Sequence, residues 1–122
     1  MAEGFARHYG SDVLTASSAG LAPLTSIVGE TVEIMAEKGI DISAHVPRFY
    51  APGKTRPFDI VVNMSGLPLP GVPPHELLVW DVKDPYRQRR EVYRATRDDI
   101  EHRVMRLILQ LRRSAQESAR AT

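Results

Sequence analysis

The sequence predicts an α/β fold built on a parallel sheet, and three observations carry that prediction. Helical segments alternate with short apolar strands along the chain, the order that lays helices over a parallel sheet. Ile60-Val61-Val62 is an unbroken apolar run, as in a strand buried on both faces. Val79-Trp80-Asp81-Val82-Lys83-Asp84-Pro85-Tyr86 reads as the end of such a strand running into a loop that presents one acid, Asp84. An acid at the C-terminal lip of a parallel strand stands where open α/β sheets do their chemistry.

Taken in order, Met1 to Tyr9 carries Met1, Ala2, Phe5, Ala6 and Tyr9 at helical spacing and stops at Gly10, a C-cap residue. No capping residue precedes Ala2, an abrupt beginning for a helix whose first amides need partners. Asp12 to Ala19 reads as a short strand ending at Gly20, and Leu21 to Leu24 as loop. Thr25 or Ser26 caps a helix through Val28, Val32, Ile34, Met35 and Lys38, which Gly39 terminates. Ile40 to Arg48 is a turn into a short irregular or helical segment, and Ala51 to Pro57 is loop. Phe58 to Met64 is the next strand. Gly66 to Pro74, with four prolines and two glycines, is irregular, and Leu77 to Trp80 is the third strand. The longest element runs from about Gln88 to Ser114 on an apolar stripe of Val92, Thr96, Ile100, Val104, Leu107, Ile108 and Leu111. Arg90, Arg94, Arg97, Arg103, Arg106, Arg112 and Arg113 lie largely off that stripe. Interleaved with Glu91, Asp98, Asp99 and Glu101, they predict a solvated face rather than an anion-binding one. Residues 115–122 form a polar tail behind a single domain spanning 1–114.

Composition bounds the function. At 122 residues with 43% hydrophobic and 25% charged content, this is one globular domain with a real core. A net charge of +1 gives no overall pull toward nucleic acid or membrane, although eleven Lys/Arg face six Asp/Glu from Lys83 onward. The four histidines are scattered without ligand spacing, so no metal or other cofactor is expected. With no cysteine there is no disulfide, thiolate ligand or thiol nucleophile within the sequence. No apolar run reaches the roughly 18 residues of a membrane span and no signal-like core opens the chain, so a cytoplasmic location is expected.

Several blocks, weak alone, are more specific in their order and spacing. Met1-Ala2-Glu3-Gly4, Ser18-Ala19-Gly20, Gly39-Ile40-Asp41-Ile42-Ser43 with His45 and Arg48, Asp59-Ile60-Val61-Val62 with Met64, and Asp84-Pro85 span nearly the whole chain. Together they resemble the low-molecular-weight protein tyrosine phosphatase and arsenate reductase family. The resemblance implies a three-layer α/β sandwich, and a helix opening at Met1 that in the family follows a phosphate-binding loop. That loop carries the nucleophilic cysteine, a chemistry that needs a lowered-pKa thiolate at a helix N-terminus. Neither the loop nor the first central strand is in this sequence, so the chain resembles the family with that strand missing. Ser65 stands about where reductase-like members carry a further cysteine.

The resemblance makes Asp84 the general acid that protonates a leaving oxygen, although Asp-Pro also simply shapes turns. Tyr86 is one wall of a substrate cleft or a surface tyrosine packed on the C-terminal helix, with Tyr50 and neighbouring Phe49 as an opposing wall or a loop anchor. Ser18 and His45 hydrogen-bond to the phosphate-binding loop, or are a capping serine and a loop histidine. The expected substrate is phosphate, arsenate or a phosphotyrosine ester, with no activity in the sequence as it stands for want of a nucleophile. Three accounts remain open: a native chain beginning upstream, a non-catalytic binding or assembly module, and an unrelated regulatory domain. Without the central strand, the edges of 13–19 and 58–64 are expected to pair with each other or with a second copy, giving a homo-oligomer.

Overall fold

The computed structural model describes residues 1–20, 29–51, 58–69 and 75–121, the side chains of 119–121 excepted. Among these, α1 (Ala2–Gly10), α2 (Gly29–Ala36), β1 (Val61–Asn63), β2 (Leu77–Val79) and α3 (Arg90–Ala121) follow in chain order. The expected loops 21–24, 52–57 and 70–74, and the expected caps Thr25 and Ser26, lie outside the described residues.

Local rules account for the helix ends. The Phe5 N–H donates to Met1 O at 3.0 Å, closing the first turn of α1. Gly10 is the last helical residue. Val13 and Leu14 both donate to its carbonyl at 3.0 Å, so the turn winds on past the glycine. At the end of α2, Gly39 takes φ 73°, a left-handed conformation that costs glycine nothing. Its N–H donates to Ala36 O at 2.9 Å and that of Ile40 to Met35 O at 3.2 Å, the paired bonds of a Schellman motif. That motif turns Ile40 back into the core, where it is buried beside Met35.

The sheet is parallel, as the sequence predicts, and small. β1 pairs with β2 in the register Val61↔Leu77, Val62↔Leu78, Asn63↔Val79, extended by Val61 N–H to Glu76 O at 2.9 Å and Trp80 N–H to Asn63 O at 3.0 Å. Val61 and Val62 are half-buried rather than enclosed on both faces, and Leu77 and Val79 are exposed. The strand expected over 12–19 does not form. Residues 11–13 make a turn, 14–19 run without regular structure, and only Gly20 pairs, in a parallel bridge with Phe49. The physical reason is that the segment's polar and apolar groups find other partners. Val13 and Leu14 pack onto the core, and the Arg7 guanidinium donates to Ala16 O at 3.2 Å through its terminal nitrogen. Nor do segments 13–19 and 58–64 pair with each other, among the described residues.

The core lies where α1 and α2 pack on α3. Phe5, Met35, Ile40, Ile100, Val104 and Ile108 form it, with Trp80 and Val82 packed against it from the end of β2. Each such side chain contributes about 1.5–3 kcal/mol by leaving water. Thr96, Ile100, Val104 and Ile108 bear out the predicted stripe, and Tyr93 and Arg97 join it. The helix also runs through Ala121, beyond the Ser114 end expected from sequence. Its arginines are not merely a solvated face. Arg90 pairs with Glu33, Arg94 with Glu37 at 2.9 Å, and Arg112 with Asp12 at 2.9 Å and Tyr9 O at 2.8 Å, clamping α3 to its neighbours.

Candidate functional site

The sequence of the 82–86 loop dictates its shape. Asp84 Oδ1 accepts the Tyr86 N–H at 3.0 Å, an aspartate turn over the intervening proline. Turn-shaping and chemistry are therefore compatible, because Oδ2 makes no hydrogen bond among the described residues. The next residue, Arg87, takes φ 63°, which costs a non-glycine residue of order 1 kcal/mol. Its guanidinium stacks 5.5 Å from the Tyr86 ring centroid. Tyr93 is buried, and that burial pushes its phenol above its ordinary pKa.

This loop forms one side of a cleft of about 380 Å³. Met1 and Ala2 at the head of α1, Met64 and Ser65 after β1, and Tyr93, Thr96 and Ile100 of α3 also line it. Asp84 and Tyr86 thus line the same cleft as the N-terminus of α1, where unpaired amides and the helix dipole favour an anion. Burial holds the Met1 amino group below its usual pKa, with Glu3 opposing that shift. Ser65 is committed to its own turn: its Oγ lies 2.6 Å from Asn63 Oδ1 and accepts the Leu67 N–H at 3.1 Å. Tyr50 does not line this cleft. Its N–H donates to Gly20 O at 2.8 Å, which holds it on the Gly20–Phe49 bridge, and Phe49 is exposed there. The two expected aromatic walls are not brought together.

Ser18 and His45, twenty-seven positions apart, do meet, and the residue that joins them is Glu3. The Ser18 hydroxyl donates to Glu3 Oε1 at 3.2 Å, and His45 Nδ1 lies 3.1 Å from Glu3 Oε2. Ser18 Oγ and His45 Nε2 are 3.5 Å apart. Glu3 is 9% exposed and also faces Arg7 one turn on, at 3.7 Å. Sequence reading had no way to single out Glu3, since its only local signal is the i,i+4 spacing to Arg7. A second, smaller cavity of about 200 Å³ adjoins this trio, lined by Ser18, Ala19, Gly20, His45, Pro47 and Arg48. Among the described residues no cluster of three or more His, Asp or Glu is arranged to hold a metal, and no helix is long and apolar enough to cross a membrane.

An α/β domain with a loop-borne acid lining the same cleft as a helix N-terminus is the class these elements define. The chain belongs to the low molecular weight phosphotyrosine protein phosphatase family, whose pattern matches residues 1–70. A glutaredoxin arsenate reductase of Synechocystis is 30% identical over 115 residues, 91% of this chain and 87% of that protein. Among solved structures, an arsenate reductase in the phosphate binding state superposes with a TM-score of 0.81 at 30% identity, covering 90% of this chain and 86% of the other. An arsenate reductase in the reduced state gives 0.76 at 28% identity, with the same coverage. The resemblance of fold and family read from the sequence is thereby established.

Proposed function

We propose that the Asp84 cleft is a site for a tetrahedral oxyanion, arsenate before phosphate, at which this sequence supplies acid and walls but no nucleophile. The observation that carries the reading is that Asp84 and Tyr86 line one cleft together with Met1 and Ala2 at the head of α1. The oxyanion rests on the α1 amides. Asp84 gives a proton to the oxygen that departs as a thiolate sulfur bonds to arsenic or phosphorus, so that the leaving group is water or an alcohol rather than hydroxide or alkoxide. Ser18 and His45 hold the Glu3 carboxylate in the first turn of α1. The thiolate comes from outside this sequence, which contains no cysteine. Arsenate is placed first because arsenate reductases are the similar proteins found. Tyr86, with its exposed ring at the rim, favours an aryl phosphate as the second reading.

The 122-residue chain therefore binds oxyanion without turning it over, as a non-catalytic binding module would. Titration with arsenate or phosphate, followed by amide NMR, is expected to move the Ala2–Gly4 and Asp84–Arg87 signals. No movement at those amides rules the site out. Aryl phosphate hydrolysis and thiol-dependent arsenate reduction are expected at buffer background, and turnover lost on Asp84→Ala would overturn the inactivity. Self-association along the free edge of β1 accompanies this reading, and a monomer in sedimentation at 100 µM, on the order of ordinary weak contacts, excludes it.

A further inference from the structure

Two side chains that line the Asp84 cleft carry polar groups without partners. Thr96 stands on the buried stripe of α3, is only 8% exposed, and lines the cleft. A helical threonine can return its hydroxyl to the carbonyl three or four residues back. That of Thr96 makes no hydrogen bond among the described residues. No side-chain nitrogen or oxygen there is sealed from solvent without a partner, so the hydroxyl keeps an opening, and the cleft is what it lines. A nearly buried hydroxyl left that way is a hydrogen-bonding position for whatever enters. Lys83, exposed on the loop just before Asp84, is the one cationic side chain among those that line the cleft. It makes no ion pair or hydrogen bond among the described residues, although an acid is its neighbour in sequence. Lys38 shows the alternative, its ammonium 3.2 Å from Glu101. A lysine without an acid keeps a compact charge and three donors for a ligand.

We propose that Lys83 and Thr96 are the residues by which this cleft selects a doubly charged tetrahedral oxyanion over a singly charged one of similar shape. The inference rests on the reading of the cleft as an oxyanion site and adds two side-chain contacts to it. The α1 amides hold an oxyanion of either charge. Lys83 adds a full positive charge, which attracts a dianion about twice as strongly as a monoanion at the same distance. The Thr96 hydroxyl donates to an oxygen that carries no substituent, and the ligand thereby supplies the partner the fold does not. A second ester group removes one negative charge and covers one such oxygen, so a diester loses at both residues. The ligands selected are free arsenate or phosphate and their monoesters.

The test is amide NMR titration of the 122-residue chain with methyl phosphate and with dimethyl phosphate. At about pH 8, above the second phosphate pKa of about 6, the first is a dianion and the second a monoanion. Methyl phosphate is expected to bind about tenfold more tightly or better, the least that a hydrogen bond to a charged group supplies. Lys83→Gln is expected to weaken methyl phosphate about tenfold and dimethyl phosphate far less, while Lys83→Arg keeps the preference. Thr96→Val keeps the shape without the hydroxyl and is expected to weaken methyl phosphate about fivefold, while Thr96→Ser does not. Equal binding of the two esters, an unchanged preference in Lys83→Gln, or unchanged methyl phosphate binding in folded Thr96→Val overturns the proposal. In each of those cases movement of the Ala2–Gly4 and Asp84–Arg87 amides leaves the oxyanion reading standing. No movement of those amides with either ester overturns both. Lys83 is exposed, so Lys83→Gln decides the question even where Thr96→Val does not fold.

Discussion

Arg97 lies only 6% exposed on α3, and its removal tests whether a buried cation or an exposed one holds α2 in place. Its guanidinium donates to Ile34 O at 3.1 Å, to Glu37 Oε1 at 2.6 Å and to Asp98 Oδ1 at 2.9 Å. Replacing it by Met keeps most of the apolar stem and strips the donors. Asp98 is half-exposed and resolvates, and Glu37 keeps Arg94 as partner. The Ile34 carbonyl loses this donor inside the core, and an orphaned buried acceptor costs about 1–3 kcal/mol. Arg97→Met is therefore expected to cost about 2 kcal/mol. Arg97→Ala also loses roughly two buried methylenes at about 0.8 kcal/mol each, for a total near 4 kcal/mol. At about 2.1 cal/mol/K of unfolding entropy per residue, a chain of this length loses about 4 °C of Tm per kcal/mol. Thermal unfolding followed by circular dichroism is expected to fall by about 8 °C for Met and about 15 °C for Ala. Arg94 bonds the same carboxylate from an exposed position, so Arg94→Ala is expected to move Tm far less than Arg97→Met. Equal shifts for Arg94→Ala and Arg97→Met, or no shift for Arg97→Met, would refute the argument that burial sets the cost.

Two further predictions come from the same helix interfaces. Hydrogen bonds from Arg94 and Arg97 hold the Glu37 carboxyl down to about 2, against an ordinary value of 4.5. A depressed folded-state pKa stabilises fully above 4.5 and loses that contribution as pH falls toward 2. Urea midpoints at pH 5.5 and pH 3 are expected to differ less in Glu37→Gln than in the unaltered chain, and an identical difference would sink the assignment. Gly10 faces α3 so closely that an added Cβ would lie 2.8 Å from both Cγ1 and Cδ1 of buried Ile108. Gly10→Ala is expected to destabilise by about 1–2 kcal/mol, overpacking outweighing the gain in helix propensity. Gly29→Ala, where the methyl meets nothing within 4 Å among the described residues, serves as the control and is expected to be neutral or stabilising.

The sequence by itself determined whatever closes over a few residues. Helix hydrogen bonds join positions three to five apart, so Gly39 at the end of α2, the body of α1 and the stripe Thr96–Ile100–Val104–Ile108 were legible without coordinates. The Asp84 turn was legible for the same reason, because an aspartate bonds its own backbone two residues on. Strands depend on remote partners. Val13 to Ala19 has the right composition, yet its apolar side chains went to the helix core and the Ala16 carbonyl to Arg7, leaving Gly20 alone to pair. Tertiary structure alone decided that Glu3, Ser18 and His45 meet, that Tyr50 stands away from Tyr86, and that Arg97 is buried while Arg94 is not. The Gly20–Phe49 bridge sets the place of Tyr50, and the docking of α2 on α3 sets the burial of Arg97. One helical turn carries Arg94 to Arg97 and changes little in the sequence pattern. The few ångströms between them decide whether a guanidinium meets water or the carbonyl of Ile34.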